Sequence, residues 1–370
     1  MTWWKKKTVY SPIGIDIGDR SVKMVQLKKT DAGVSLHAVS KKEVSEKDVR
    51  EPDRLIKVLK TVKRKSPFVG CIAVSRMPHA QTTILPIQLP KTAINGEAKE
   101  GNSFENQLVK EAERYLTYPV EEAVIDYIPM HRDVSETRKV LLTATKRTDV
   151  VAHLRVLSGA GLQSEAIDVG PNAIRRLFRS VCKIENRVLL INVGRRKSFF
   201  TILWDGDVII DRPVAWGEDR LIEGLSKALE IDLEASRRML FTYGINLQKG
   251  ATLFPQEETA LLSDDAIASK IAQITFNILE SFIAEVEKVL VFCASEKHGT
   301  MIDQTYLMGG STFLLGGGLF VKKLPVFLTQ RLGINVKIVD PLNVFHADFH
   351  KTYNPSLFDV SIGLALKGFA

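Results

Sequence analysis

Two segments far apart in the chain share one grammar. Residues 13–27 read IGIDIGDRSVKMVQL and residues 189–203 read LLINVGRRKSFFTIL. Each has an apolar run, a side-chain oxygen (Asp16 or Asn192), one apolar residue, a glycine (Gly18 or Gly194), a polar turn and a second β-prone run. The pattern predicts strands at Ile13–Ile17 and Val22–Leu27, and again at Val188–Val193 and Phe199–Leu203. In each hairpin the glycine lets the backbone turn and leaves N–H groups exposed at the tip. One such hairpin constrains little. Two of matching grammar, about half the chain apart, point to a duplicated domain with one phosphate-facing loop per half. The second turn carries Arg195, Arg196 and Lys197 with no acid among them. Either it is a solvated tip, or it faces an anion.

A third element strengthens the duplication. Thr305–Met308 reads as a strand, followed by Gly309-Gly310-Ser311-Thr312. Gly316–Gly318 then leads into a helix over Leu319–Leu332, closed by Gly333, with a last strand at Val336–Val339. Strand, glycine turn and helix is how a backbone comes close to a nucleotide, although alone it would be a tight turn. The rest of the chain is mixed α/β. Helices are predicted at Arg54–Lys63, Phe104–Leu116, Asp149–Ala160, Gly217–Ala228 and Asp264–Ser295. Strands are predicted at Cys71–Ser75, Val124–Ile128 and Lys139–Ala144. In Phe104–Leu116 the spacing turns Leu108, Ala112, Tyr115 and Leu116 inward. A Pro-punctuated stretch carries Pro86 and Pro90.

The chain is too long for one compact core at 370 residues, which suits two domains or one subdivided fold. Its net charge of +8 invites a polyanionic partner. Yet the cations fall in short scattered clusters without interleaved aromatics, so a solvated basic surface is favoured and no nucleic-acid partner is expected. Cys71, Cys182 and Cys293 lie far apart, giving neither metal spacing nor a disulfide framework, so a reducing compartment is expected. The opening MTWWKKKTVY has no apolar core and reads as a tail rather than a signal peptide. Gln304–Val321 is uncharged but holds five glycines, which argues against a membrane span.

Together these elements resemble the actin-like, Hsp70-like ATPase superfamily and, within it, the PilM-like proteins of type IV pilus assembly in bacteria. The wider pattern is carried by Asp16-Ile17-Gly18 with Lys23, by Asn192-Val193-Gly194, and by Gly309-Gly310. The narrower one is carried by ILPIQLPK (84–91), VKEAERYLTYPVEEAVIDYIPM (109–130), VLSGAGLQSEAIDV (156–169), YLMGGSTFL (306–314) and LGINVKIVDPLNVF (332–345). The similarity runs from about Ile13 to Gly368. It implies an α/β, two-lobed actin-like ATPase fold, a ribonuclease H-like unit duplicated, with an inserted α/β subdomain. By analogy 13–84 plus 165–182 form the first lobe and 85–164 the insertion. Residues 187–215 plus 305–368 form the second lobe, 216–304 its upper part, and 1–12 a tail.

The resemblance also implies a cleft holding ATP or ADP with Mg2+. The residues carried over to nucleotide contact are Asp16, Gly18, Asp19, Arg20, Ser21 and Lys23 in the first loop, and Asn192, Gly194, Arg195, Arg196 and Lys197 in the second. Gly217, Glu218, Gly309, Gly310 and Ser311 complete the set. Asp16 would hold the metal through its water shell, and Lys23 would neutralise phosphate charge. No catalytic residue is assigned. The family carries Asp where this chain has Asn192, and an amide loses both the charge and the capacity to act as a base. Nucleotide binding without efficient hydrolysis is therefore expected. Asp19 beside a phosphate would be repulsive unless it turns outward, toward Lys23 or toward a metal.

The family's partner is the N-terminal cytoplasmic peptide of a PilN-like inner-membrane protein. The resemblance thus implies a cytoplasmic scaffold, peripheral at the inner membrane, with self-association into a ring or filament as a further option. Ile87, Leu89, Leu108 and Tyr115 are the candidate groove residues, with core packing as their alternative. Trp3-Trp4 before Lys5–Lys7 would suit a membrane interface, and equally a disordered tail. The competing reading is an active actin-fold ATPase or a filament-forming FtsA-like protein. The cytoplasmic part of the type II secretion protein GspL is a further relative.

Overall fold

A computed structural model of the chain describes residues 8–90, 103–130, 137–182, 187–243, 264–296, 301–309, 319–339, 341, 345 and 355–369. The first hairpin forms where the alternation demands. After β1 (Val9–Tyr10), β2 (Ile13–Ile17) and β3 (Ser21–Thr30) pair antiparallel with Asp16 opposite Lys23. β4 (Gly33–Glu43) adds to β3. Two helices follow, α1 (Glu46–Arg50), capped by Ser45, and α2 (Pro52–Arg64). Pro52 is tolerated because the first helical N–H needs no intrahelical partner. The apolar stripe Leu55, Val58, Leu59 and Val62 is buried on the sheet. β5 (Ile72–Arg76) then lies parallel to β2.

The next segment builds a small sheet of its own. β6 (Thr82–Pro90) and β7 (Ala123–Pro129) flank β8 (Thr137–Lys146), with α3 (Phe104–Glu113) covering one face. Pro86 and Pro90 sit in β6 because it is an edge strand, where a missing N–H costs no ladder bond. α3 stops at Glu113 rather than Leu116, so the helical period no longer orients Tyr115. That side chain, expected inward, is 50% exposed. α4 (Arg147–Gly159) leaves this sheet and buries Val156 and Leu157 in the core beneath α2. This helix of the 85–164 segment is thus built into the first lobe. β9 (Gln163–Asp168) completes the first sheet, parallel to β5, and α5 (Gly170–Leu177) follows it.

The second half repeats the plan. β10 (Val188–Val193), β11 (Ser198–Trp204) and β12 (Asp207–Val214) form an antiparallel meander, with α6 (Glu218–Leu229) and α7 (Leu233–Tyr243) after it. The long α8 (Asp264–Glu296) backs the sheet through Phe282, Ile283, Val286 and Val289. β13 (Gln304–Met308) runs parallel to β10, α9 (Leu319–Leu332) follows, and β14 (Val336–Ile338) closes the sheet. The order β12-β11-β10-β13-β14 repeats β4-β3-β2-β5-β9 of the first sheet.

A second part of the chain also packs away from its expected lobe. The last helix, α10 (Asp359–Ala365), was grouped with the second lobe, but it packs on β2, β3 and α5 of the first. Ile362, Ala365 and Leu366 enter the core of Val25, Leu27 and Leu177. The close approach depends on two glycines. A Cβ on Gly14 would overlap the Ser361 carbonyl, and one on Gly363 would overlap the Ala173 carbonyl. The cores of the two halves meet around α5, where Val74 and Ile174 share a cluster with Leu190 and Met308.

Candidate functional site

The candidates of the first hairpin lie at the end of β2, in the turn after it and at the start of β3. In the first hairpin Asp16 is buried, and each of its carboxylate oxygens accepts from a cation. Lys23 Nζ donates to Oδ2 at 2.9 Å, and Arg76 Nε donates to Oδ1 at 2.8 Å. Arg76 reaches it because β5 runs parallel beside β2 and ends there. Burial alone would push the Asp16 carboxyl up, but the charges of Lys23 and Arg76 outweigh it and hold the group well below the usual range. Next to Arg76, the buried Ser75 Oγ lies 2.8 Å from His153 Nε2. Burial first, and then the charge of Arg76, push the His153 imidazole down to about 4.

The second hairpin keeps the geometry and replaces the charged cross-strand pair with a neutral one. Asn192 is opposite Phe199, just as Asp16 is opposite Lys23. A carboxylate at position 192 would have no cation directly across the strand. Phe199 packs on the His79 ring at a centroid distance of 4.6 Å. His79 Nε2 lies 3.0 Å from Asp211 Oδ2, and the Thr201 hydroxyl donates to Asp211 Oδ1 at 2.7 Å. Gly309 adopts φ 96° directly behind Asn192, where a Cβ would overlap the amide oxygen. The structure therefore brings Asn192, Gly194 and Gly309 together. Gly310 and Ser311 lie outside the described residues.

The N-terminus of α6 seats on the second turn. Glu218 N donates to Gly194 O at 3.0 Å and Asp219 N to Arg195 O at 2.9 Å. Gly217 is the N-cap, and a Cβ there would collide with the backbone of Arg195 and Arg196. Glu218 is buried and accepts from Arg20 Nη1 of the first turn at 2.7 Å.

Two of the three cations of the second turn are met by acids. Arg195 Nε pairs with Asp219 at 2.9 Å, and Arg196 reaches across to Glu46 of α1 at 3.0 Å. Lys197 and Asp19 are exposed, while Ser21 is buried with its carbonyl accepting from Gly18 N at 3.1 Å. Sequence reasoning did not single out Arg76, His153, Asp168, Glu46 or Asp219. For Arg76 and Asp168 a signal existed, since both end parallel strands, where open α/β sheets gather their functional side chains. Asp168 accepts from Arg176 Nη2 and Asn172 Nδ2, each at 2.8 Å. The acids that balance the turn cations come from distant segments and left no local pattern.

The donor set fits the phosphates of a nucleotide better than it fits a magnesium ion. Each oxygen of Asp16 already accepts from a cation, whose charge opposes that of a metal, and Asn192 offers only a neutral oxygen. Among the described residues no group of three or more His, Cys, Asp or Glu side chains is placed to hold a metal.

The proposed groove residues fall elsewhere. Ile87, Leu89 and Leu108 pack in the core of the small sheet, and Tyr115 stands at its surface. Ile87 also lines a cavity of about 220 Å³ between β6 and β12, with Met130, Ile209, Ile210 and Phe292.

Two sheets of the same strand order, each opened by a hairpin whose turn meets the other lobe, define an actin-like ATPase fold. The chain belongs to the type IV pilus assembly protein PilM family, whose model matches residues 14–242. Its fold is similar to that of a solved PilM–PilN type IV pilus biogenesis complex, with a TM-score of 0.75 and 22% identity, over 97% of this chain and 99% of that one. The ethanolamine utilization protein EutJ from Carboxydothermus hydrogenoformans is similar with a TM-score of 0.55 and 14% identity, over 97% and 89% of the two chains. No helix among the described residues is long and apolar enough to cross a membrane.

Proposed function

We propose that the protein is a nucleotide-binding scaffold of a type IV pilus platform, working at the cytoplasmic face of the inner membrane. It binds the N-terminal cytoplasmic peptide of a PilN-like membrane protein. The observation that carries this reading is the similarity, across nearly the whole of both chains, to a PilM solved in complex with PilN. The cleft between the two hairpins takes ATP or ADP, with the glycine turns at 18 and 194 admitting the phosphates close to the backbone. Hydrolysis is slow or absent. Asn192 supplies no base, and Glu218 is already committed to Arg20.

The deciding experiment is co-purification of the full chain with the partner's N-terminal cytoplasmic peptide, with and without ATP, beside a phosphate-release assay. Capture of the peptide with little phosphate release is the expected result. Absence of capture in both conditions would overturn the scaffold reading. Turnover stimulated several-fold by the peptide and lost in Asp16→Ala would establish an active ATPase instead.

A further inference from the structure

Asp16 is ringed by more positive charge than it can balance. One carboxylate meets Lys23 Nζ at 2.9 Å and Arg76 Nε at 2.8 Å, and the three side chains are 5%, 12% and 19% exposed. The two cations exceed the one carboxylate by one unit of positive charge, which an anion entering the site would balance. The neutral His153 beside Arg76 adds no negative charge. Arg76 spends only Nε on Asp16, and its two terminal nitrogens have no partner among the described residues. Lys23 likewise has donors to spare. A divalent metal brought to Asp16 would be repelled by both cations, whereas an anion would be attracted by both. Guanidinium and ammonium donors are the groups that grip phosphate oxygens directly.

We propose that Lys23 and Arg76 take the place of a divalent metal, so that this protein holds the phosphates of its nucleotide directly and without magnesium. Arg76 is thereby a nucleotide-binding residue, and Asp16 a positioning residue that fixes both cations. The inference rests on the nucleotide-binding reading above, and it separates from that reading in one titration.

The full chain is titrated with a fluorescent ADP analogue in magnesium buffer and again in excess EDTA. The expected dissociation constants agree within about threefold. Binding in magnesium that weakens more than about tenfold in EDTA would overturn the inference and leave the nucleotide reading standing. Absence of binding in both buffers would overturn both. In EDTA, Arg76→Ala is expected to weaken binding about tenfold or more, with Arg76→Lys recovering part of the loss. Unchanged affinity in a folded Arg76→Ala protein would also overturn it. Should that variant fail to fold, the two-buffer comparison on the unmodified chain still decides.

Discussion

Asp16 and Asn192 occupy the same place in a repeated hairpin, and the residue across the strand changes with them, from Lys23 to Phe199. A buried ionisable group keeps its charge where an opposite charge reaches it. The same rule governs His153. Its imidazole is held at about 4, against an ordinary value near 6.5, chiefly by burial. Between those two values the unfolded chain takes up a proton that the folded chain refuses, so stability falls as the pH drops through the window. The loss expected at pH 5 relative to pH 7 is about 2 kcal/mol from this residue. Urea unfolding at the two pH values checks it: His153→Gln, which can still hydrogen-bond Ser75, should remove that part of the pH dependence. The lowered carboxyl of Asp16 acts only in stronger acid, where its contribution, present above the ordinary carboxylate range, is lost as the pH falls.

Among the elements, α10 depends most on a distant part of the chain. It docks because Gly14 on β2 and Gly363 on the helix itself leave backbone facing backbone. Gly363→Ala is expected to push α10 off α5 and cost about 1–3 kcal/mol. Gly18→Ala, whose Cβ would meet only the Ser21 carbonyl at an ordinary 3.4 Å, should cost less. Thermal unfolding of the two variants side by side tests the difference, and equal losses would show that the close approach is not limiting. The strands and helices with strong periodicity were legible from sequence. β2, β10, α2 and α9 form at the expected places because their apolar spacing matches one surface. β6 was not read as a strand, because two prolines argue against pairing until the strand is known to lie at an edge. Tyr115 was misplaced because the period was extended past the end of its helix.

Across the whole molecule the two lobes are tied by charge as well as by the shared core around α5. Arg20 of the first turn meets the buried Glu218 of α6, and Arg196 of the second turn meets Glu46 of α1. The first pair is the stronger tie, because Glu218 is almost wholly excluded from water while the Arg196 pair is exposed and screened. Arg20→Ala removes the cation that meets the buried Glu218 carboxylate and is expected to cost about 3 kcal/mol, with Glu218→Ala similar. In urea unfolding the double variant should lose less than the sum, with a coupling of about 1–3 kcal/mol. Additive losses would mean that the lobes are not joined there.

The sequence by itself determined the duplication and the positions of both hairpins, because periodicity and turn glycines are local properties written in consecutive residues; the family was carried by the resemblance of longer segments such as 84–91 and 306–314. Only the tertiary structure decided what the charged residues do. Arg76 comes to Asp16 through a parallel strand pairing, and Glu218 and Glu46 meet Arg20 and Arg196 across the seam between the lobes. Such pairings join residues far apart in the chain, and charge carries no periodicity from which a partner could be read.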